Sequence, residues 1–269
     1  MTILNFDLDQ AVALQSSAAG QYAGATQTAW QNMVGPFGGI TAATMMQAVM
    51  QHPQLLGLPV SITVNFCAGV AEGPFDIVAR PARTNRSTQH WMVEMLQNGE
   101  VVTTATAVTA VRRNTWSSDE SPMPSVPPPE AVERSVFATM PWVQRFDMRP
   151  IVGNLPLVWD GRESESLSRL WARDAQARPL DFVSLTALSD LFFPRVFLRR
   201  TTRVPIGTVS MTVYFHAGQA ELEAVGTGYI LGQARAQRFF NGFFDHSAQL
   251  WSQAGTLLAT THQVVYYKD

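Results

Sequence analysis

The sequence lacks the features that mark secreted and membrane-spanning proteins. Its 269 residues include one cysteine, Cys67, so an internal disulfide is impossible. No run of 18 or more consecutive apolar residues occurs, so we expect no transmembrane helix. Residues 1–15 show no basic leader followed by a long apolar run. These absences predict a soluble, cytoplasmic protein.

Signatures of several common chemistries are also missing. Only 15% of residues are charged, and the net charge of −2 is spread along the chain, which argues against a nucleic-acid partner. The five histidines form no His-Glu-x-x-His and no Cys-x-x-Cys occurs, so we expect no metal. The glycines of Gly35–Gly39 are not followed by Lys-Ser/Thr, and there is no Gly-x-Ser-x-Gly. We therefore expect neither a bound cofactor nor a serine nucleophile.

What is present is material for a large core, divided by one proline-rich segment. Apolar residues make up 46% of the chain. Ser117–Glu133 contains five prolines, which exclude a helix or an inner strand there. We predict an N-terminal domain over residues 1–113, a linker over 114–135 and a C-terminal domain over 136–269.

The two predicted domains repeat one pattern. Val60–Gly69 and Val209–Gly218 both alternate apolar and polar residues, as half-buried strands do, and they lie 149 residues apart. Gly99–Val111 matches Gly255–Tyr267, 156 residues further on. Two strand patterns at nearly constant spacing indicate an internal duplication.

Each half also has a helical stretch before its first matched strand. These stretches are Gly38–His52, which Pro53 stops, and Asp181–Phe193, with Asp181 as a plausible N-cap. Both are apolar or small around most of their circumference, which is typical of buried helices. We therefore predict an α+β fold of two antiparallel sheets, each wrapping one central helix.

Three polar residues of the second half stand in apolar surroundings. Asp190 shares a helical stripe with small and apolar residues, so its carboxyl group must find partners or change its protonation. The alternative is that Asp190 is structural and either pairs with an arginine such as Arg195 or caps the end of the helix. Gln263 lies in a core-facing strand pattern, and Thr208 begins a strand.

The same positions in the first half carry no such set. At the offsets above, Asp190, Thr208 and Gln263 correspond to Thr41, Pro59 and Ala107. The carboxylate and the amide thus have no equivalents in the first half. The asymmetry predicts a single site in the chain, in the second half.

At these residues the chain resembles the type II acyl-CoA thioesterases, whose fold is the double hot-dog. The resemblance spans almost the whole sequence. Its carriers are Trp30, the GPFGG of Gly35–Gly39, the strand end at Phe66, the LSD ending at Asp190, TVSMTVYFH from Thr208 and GTLLATTHQ up to Gln263.

The resemblance implies a hydrolase that acts on acyl-CoA and releases a fatty acid and CoA. In that family an aspartate, a threonine and a glutamine hold the lytic water, and Asp190, Thr208 and Gln263 fall in those places. The aspartate would act as general base. Gly38 and Gly39 would let the acyl carbonyl approach the N–H groups of a helix N-terminus, or they would simply form a tight turn into the helix.

Other functions remain open. A hydratase of this fold would need an aspartate–histidine signature, which is absent. A non-catalytic acyl-CoA or acyl-chain binding protein would keep the fold without needing the polar set, and a structural module would not require Gln263 in the core. Arg83 and Arg86 could meet the CoA phosphates, or they could be ordinary surface residues. Exposed sheet edges favour a homodimer or a higher homo-oligomer.

Overall fold

A computed structural model describes residues 6–135, 140–154 and 165–268. The helices are α1 (Asp7–Ala11), α2 (Gly38–Met50), α3 (Phe182–Leu188), α4 (Val196–Arg199) and α5 (Gln219–Val225). The strands of the first half are β1 (Gln15–Ala18), β2 (Gln21–Ala25), β3 (Leu58–Phe66), β4 (Pro74–Thr84), β5 (Thr88–Gln97) and β6 (Glu100–Ala110). Those of the second half are β7 (Phe146–Val152), β8 (Ser168–Asp174), β9 (Ile206–Phe215), β10 (Ile230–Arg235), β11 (Phe239–Phe240), β12 (Phe243–Ser252) and β13 (Leu257–Tyr267).

The strands of both halves form one antiparallel sheet rather than two. Within the described residues, the order is β1-β2-β4-β5-β6-β3-β9-β13-β12-β10-β8-β7, with β11 paired to β12. The expectation of two separate sheets is corrected by the pairing of β3 with β9, which joins the halves edge to edge. This pairing satisfies the backbone groups that each half alone would leave exposed on an edge strand.

The junction between the halves confirms the predicted duplication. Thr63 of β3 pairs directly with Thr212 of β9, its counterpart 149 residues away, and their hydroxyl oxygens lie 3.0 Å apart. On either side of the junction the neighbouring strands keep the same register. Ile62 pairs with Ala107 on β6, and Met211 pairs with Gln263 on β13. Ala107 and Gln263 are therefore structural counterparts.

A β-bulge interrupts β9 near its start. Val265 pairs with Thr208 and Val264 with Ser210, which leaves Val209 without a direct partner. The apolar–polar alternation of Val209–Gly218 predicts that Val209 faces inward, but Val209 is 39% exposed because the extra residue shifts the side-chain alternation. Thr208, the residue before Val209, faces inward instead. The first half has a similar register shift between Pro59 and Ser61.

The two central helices differ in length. Helix α2 begins at Gly38 as predicted, ends at Met50 and packs against β4, β5 and β6. Helix α3 begins after Asp181, whose side chain caps it as predicted, but it ends at Leu188 instead of Phe193. Asp190 therefore lies beyond the end of the helix, and the prediction that it shares a helical stripe with residues of this helix is wrong. Thr41, its predicted counterpart, sits in the first turn of α2, so the constant offset does not hold between the helices.

The proline-rich segment lies against the outer face of the second half. The indole N–H of Trp171 donates to the carbonyl of Pro127 at 2.8 Å, and that of Trp251 donates to Ser121 at 3.0 Å. Met123 and Val126 pack on the same apolar cluster. Two tryptophan donors thus fix the segment predicted as a linker along the sheet.

None of the helices in the described parts of the chain is long and apolar enough to cross a membrane. Residues 1–5 belong to the N-terminal stretch in which we predict no signal peptide, and they lie outside the described residues.

Candidate active site

A cavity of about 670 Å³ opens where the N-terminus of α2 meets the second half of the sheet. The predicted residues Asp190, Thr208, Gln263 and Gly38 all line it. Its volume falls within the range of small-molecule sites in proteins. Most of its wall is apolar, with few polar groups, which is typical of a site that binds an apolar ligand and positions one reactive part of it.

The turn after α3 places Asp190 in this cavity. The backbone N–H of Asp190 donates to the carbonyl of Ala187 at 3.2 Å and continues the turn beyond the helix end. Downstream, the buried Arg195 donates to the Phe193 carbonyl and to Ser168 Oγ at 2.7 Å. The turn that carries Asp190 is thereby tied to strand β8.

Arg195 is not the partner of Asp190. No described arginine lies within ion-pair distance of the Asp190 carboxylate. The guanidinium group of Arg195 donates its hydrogen bonds to carbonyl and hydroxyl oxygens instead. Burial lowers the pKa of Arg195 to about 9. The structural pairing considered from the sequence is thus not formed.

Asp190 is held by two neutral donors. Gln263 Nε2 donates to Asp190 Oδ1 at 2.7 Å, and the backbone N–H of Gly39 donates to the same carboxyl group. Protein atoms shield the carboxyl group from bulk water, although the residue stays partly accessible from the cavity. Burial raises the pKa of Asp190 to about 7, and the two hydrogen bonds oppose that rise.

Gln263 occupies the core-facing position that its strand pattern predicted. It is 4% exposed, and Thr261 and Val265 on the same face are also buried. Its amide uses one N–H on Asp190, which leaves the carbonyl oxygen as an acceptor near the carboxyl group. At the matching position of the first half, Ala107 offers only a methyl group.

Thr208 reaches the cavity because of the bulge in β9. The residue is half-buried and borders the cavity with Gly207 and Val265. A strand without the bulge would turn Thr208 to the outer face of the sheet. Bulges of this kind commonly aim a side chain at an active site.

The two glycines at the start of α2 have different surroundings. A Cβ on Gly38 would lie 2.8 Å from Asp190 Oδ2, and one on Gly39 would lie 2.6 Å from the carbonyl oxygen of Ala187. Gly38 lines the cavity, whereas the N–H of Gly39 is already bonded to Asp190. Glycine is therefore required here for the close approach of Asp190 and of the α3 backbone to α2.

Two further residues of the cavity were not predicted from the sequence. His246 on β12 is buried beside Gln263, and the exposed Arg203 is the one lysine or arginine among the described lining residues. The sequence feature that could have revealed His246 is a histidine at a position of β12 where the strand alternation places apolar residues.

Arg83 and Arg86, at the β4–β5 turn, do not line the cavity. Among the residues that the structure describes, no cluster of three His, Cys, Asp or Glu could hold a metal.

Comparison with protein families gives matches to both halves. Residues 118–267 match the acyl-CoA thioesterase C-terminal domain, and residues 26–110 match the acyl-CoA thioesterase N-terminal domain. Among curated proteins no relative matches.

Solved structures share the fold over nearly the full length. A conserved protein of unknown function with a hot-dog fold from Alicyclobacillus acidocaldarius is 49% identical, with a TM-score of 0.92 and coverage of 97% of this chain and 98% of its own. A putative thioesterase II from Thermobifida fusca is 17% identical, with a TM-score of 0.83 and full coverage of both chains. An acyl-CoA thioesterase II from Mycobacterium marinum is 18% identical, with a TM-score of 0.76 and coverage of 97% and 98%.

Proposed function

As a member of the acyl-CoA thioesterase family, this chain is a thioester hydrolase, and we propose that it cleaves acyl-CoA to a free fatty acid and CoA with a water held by Asp190, Thr208 and Gln263. The observation that carries the proposal is the hydrogen bond from Gln263 Nε2 to Asp190 Oδ1 at 2.7 Å inside a mostly apolar cavity. It joins a base and an amide at the positions that the sequence singled out.

Asp190 is the general base of the proposed reaction. A carboxyl group with a pKa of about 7 is substantially ionised at neutral pH and still basic enough to accept a proton from water. Its two hydrogen-bond donors are neutral, so no cation suppresses that basicity. The thiolate of a thioester leaves readily, so an activated water suffices without a covalent intermediate.

Gln263 and Thr208 orient the water. The amide of Gln263 fixes Asp190 with its N–H and offers its carbonyl oxygen to a water hydrogen, while the hydroxyl of Thr208 supplies a further contact. The thioester carbonyl would lie near Gly38 at the N-terminus of α2, where backbone N–H groups and the helix dipole favour a developing oxyanion. The backbone N–H of Gly39, in contrast, donates a hydrogen bond to Asp190, the proposed base.

The CoA part would leave the cavity past Arg203. This exposed side chain lines the cavity, and Arg199 and Arg200 precede it closely in the sequence with no acidic residue between them. Positive charge at the mouth suits the phosphates of CoA, which arginine binds well. We therefore favour a CoA thioester over one without phosphates.

A non-catalytic acyl-CoA binding protein is the second candidate. Such a protein has no use for a carboxyl group that is costly to bury beside an amide. The retained Asp190–Gln263 pair favours the hydrolase.

A panel of acyl-CoAs of graded chain length, assayed for free thiol release, tests the function. We expect release with at least part of the panel, and slower release with the matching acyl-pantetheines, which lack the phosphates. Tight acyl-CoA binding without any thiol release would contradict hydrolysis and favour the binding protein.

A further inference from the structure

A buried arginine lies behind the cavity wall that carries Asp190. Arg195 is 1% exposed and does not line the cavity. The residues just before it in the chain do line it, among them Asp190, Phe192 and Phe193. Arg195 therefore holds part of the wall from behind and makes no contact with a ligand in the cavity.

The guanidinium group of Arg195 joins this wall to strand β8. Its Nε donates to the carbonyl oxygen of Phe193 at 2.9 Å, and Nη2 donates to the same oxygen. Its Nη1 donates to the carbonyl oxygen of Ser166 at 3.0 Å and to Oγ of Ser168, the first residue of β8, at 2.7 Å. Because the guanidinium group is planar and rigid, these bonds fix the Phe193 carbonyl relative to β8.

The same turn is also held at β10. The ring of Phe192 lies over Gly232, where an added Cβ would come within 2.6 Å of the ring atom Cζ. The guanidinium carbon of Arg195 lies 6.0 Å from the centroid of that ring. The segment that follows Asp190 is thus fixed from two strands of the second half, within three residues of the carboxyl group.

The burial of a charged group at this place is costly, and packing alone does not require it. Burial lowers the pKa of Arg195, which shows that the surroundings disfavour the charge. An apolar residue of similar size fills such a space at no electrostatic cost. His246 on β12 faces the same turn, with its ring centroid 5.4 Å from that of Phe192, and stays neutral because burial lowers its pKa well below the usual value.

We propose that Arg195 is a positioning residue of the hydrolysis, which fixes the turn from Asp190 to Phe193 so that the carboxyl group stays in place against Gln263 and Gly39. The proposal rests on the function proposed above. Asp190 receives hydrogen bonds from both partners, one of them the 2.7 Å bond from Gln263 Nε2. A displacement of the turn by about 1 Å would weaken both and misplace the base.

Arg195→Lys tests the planar bridge between Phe193 and β8, because an ammonium group cannot span these acceptors as a guanidinium group does. We expect kcat to fall on the order of 10- to 100-fold, with little change in KM because Arg195 does not touch the ligand. The pH midpoint of kcat/KM, about 7 in the wild type, should move to higher pH. The reason is that the two donors which oppose the effect of burial on Asp190 are then poorly placed.

Ser168→Ala separates the geometry from the charge of Arg195. It removes one acceptor of the guanidinium group and leaves the arginine in the protein, so the test does not depend on the folding of Arg195→Lys. We expect a smaller loss of kcat and a smaller shift of the midpoint in the same direction. The double variant should be little worse than Arg195→Lys, because both changes act through one contact.

The matched control is Arg149→Lys. Arg149 also donates to two backbone carbonyl oxygens of another segment, those of Pro129 at 2.9 Å and Val132 at 3.3 Å, and it does not line the cavity. This variant should lower the thermal midpoint and leave kcat and the pH midpoint as in the wild type.

Two results would overturn the proposal. One is a pH midpoint of Arg195→Lys at or below that of the wild type, which leaves Arg195 a purely structural role. The other is a shift in Arg195→Lys with none in Ser168→Ala, which assigns the effect to charge. If the wild type hydrolyses no acyl-CoA, the proposed function fails separately. NMR titration of the Asp190 carboxyl carbon, assigned with Asp190→Asn, then decides, since the pKa of Asp190 should still be higher in both variants.

Discussion

At the scale of single residues, the proposed chemistry depends on the environment of Asp190. Burial favours the protonated carboxyl group, whereas the donors Gln263 and Gly39 favour the carboxylate. The balance places the pKa at about 7, where a carboxyl group serves as a base under neutral conditions. Substitution of Gln263 removes one of the two donors and leaves the backbone donor of Gly39 in place.

The pH profile of kcat/KM should report this balance. We expect activity to rise with pH to a plateau with a midpoint of about 7, because Asp190 must be ionised to accept a proton. Gln263→Ala removes a donor that lowers the pKa, so the midpoint should move to higher pH. Thr208→Val should reduce the rate without moving it. A Gln263→Ala midpoint at or below that of the wild type would contradict the assignment.

The proposed orienting residues should behave as one unit with the proposed base. Gln263→Ala and Thr208→Val should each lower kcat by up to about 100-fold through misplacement of the water. Added to Asp190→Asn, either change should have little further effect, because the water is no longer activated. Single-turnover rates for the three single and two double variants measure this coupling. Fully multiplicative losses would show that the residues act independently.

The sequence predicted these residues but not their arrangement. The strand pattern placed Gln263 in the core, and the duplication showed that Ala107 replaces it in the first half. Nothing in the alternation revealed that Thr208 would face inward, because the bulge at Val209 depends on pairing with β13. The contact between Asp190 and Gln263 joins residues 73 positions apart and required the folded chain.

At the scale of elements, the site is built where the start of α2 meets the end of α3. The apolar stretches predicted both helices and the Asp181 cap, but the second helix ends at Leu188, five residues earlier than predicted. Apolar residues resume at Leu191 and run to Phe193, so the composition did not reveal that the helix ends at Leu188. The backbone leaves the helix there and carries Asp190 towards Gly39.

Gly38→Ala tests the close approach of α2 to Asp190. The added Cβ would lie 2.8 Å from Asp190 Oδ2, so the carboxyl group must shift away from its partners. We expect kcat to fall on the order of 10- to 100-fold, the size of effect that a misplacement of about 1 Å produces. Steady-state kinetics and thermal unfolding of the same preparation should show that turnover suffers more than stability.

Gly69→Ala is the matched control. Gly69 also lines the cavity, but a Cβ there meets nothing within 4 Å. Its kinetics should stay close to those of the wild type. Equal losses in the two variants would mean that the effect of Gly38→Ala does not arise from Asp190.

At the scale of the whole molecule, one sheet made of two similar halves carries one candidate site among the residues that the structure describes. The helix start at Gly39 comes from the first half, while Asp190 and Gln263 come from the second. The sequence predicted the duplication and its asymmetry, whereas the union of the halves through β3 and β9 became clear only from the pairing. Assembly into a homodimer remains a prediction.

Titration with a tight-binding, non-hydrolysable acyl-CoA analogue counts the sites. We expect one equivalent per chain, because Pro59 and Ala107 replace the threonine and the glutamine in the first half. Calorimetry gives the stoichiometry, with the concentration of active protein fixed independently by amino-acid analysis. Two equivalents per chain would contradict the single site.

The most direct test of the account is the turnover of Asp190→Asn on acyl-CoA, measured together with its thermal midpoint at pH 8. Because the folded-state pKa of Asp190 lies above its ordinary value of 3.8, the stability it contributes is complete at low pH and is lost as the pH rises through about 7. The uncharged asparagine should therefore leave the midpoint unchanged or higher at pH 8. Turnover should fall by about 10²- to 10⁴-fold, the usual loss when a general base is removed. A folded Asp190→Asn protein that hydrolyses acyl-CoA at nearly the wild-type rate would contradict the account.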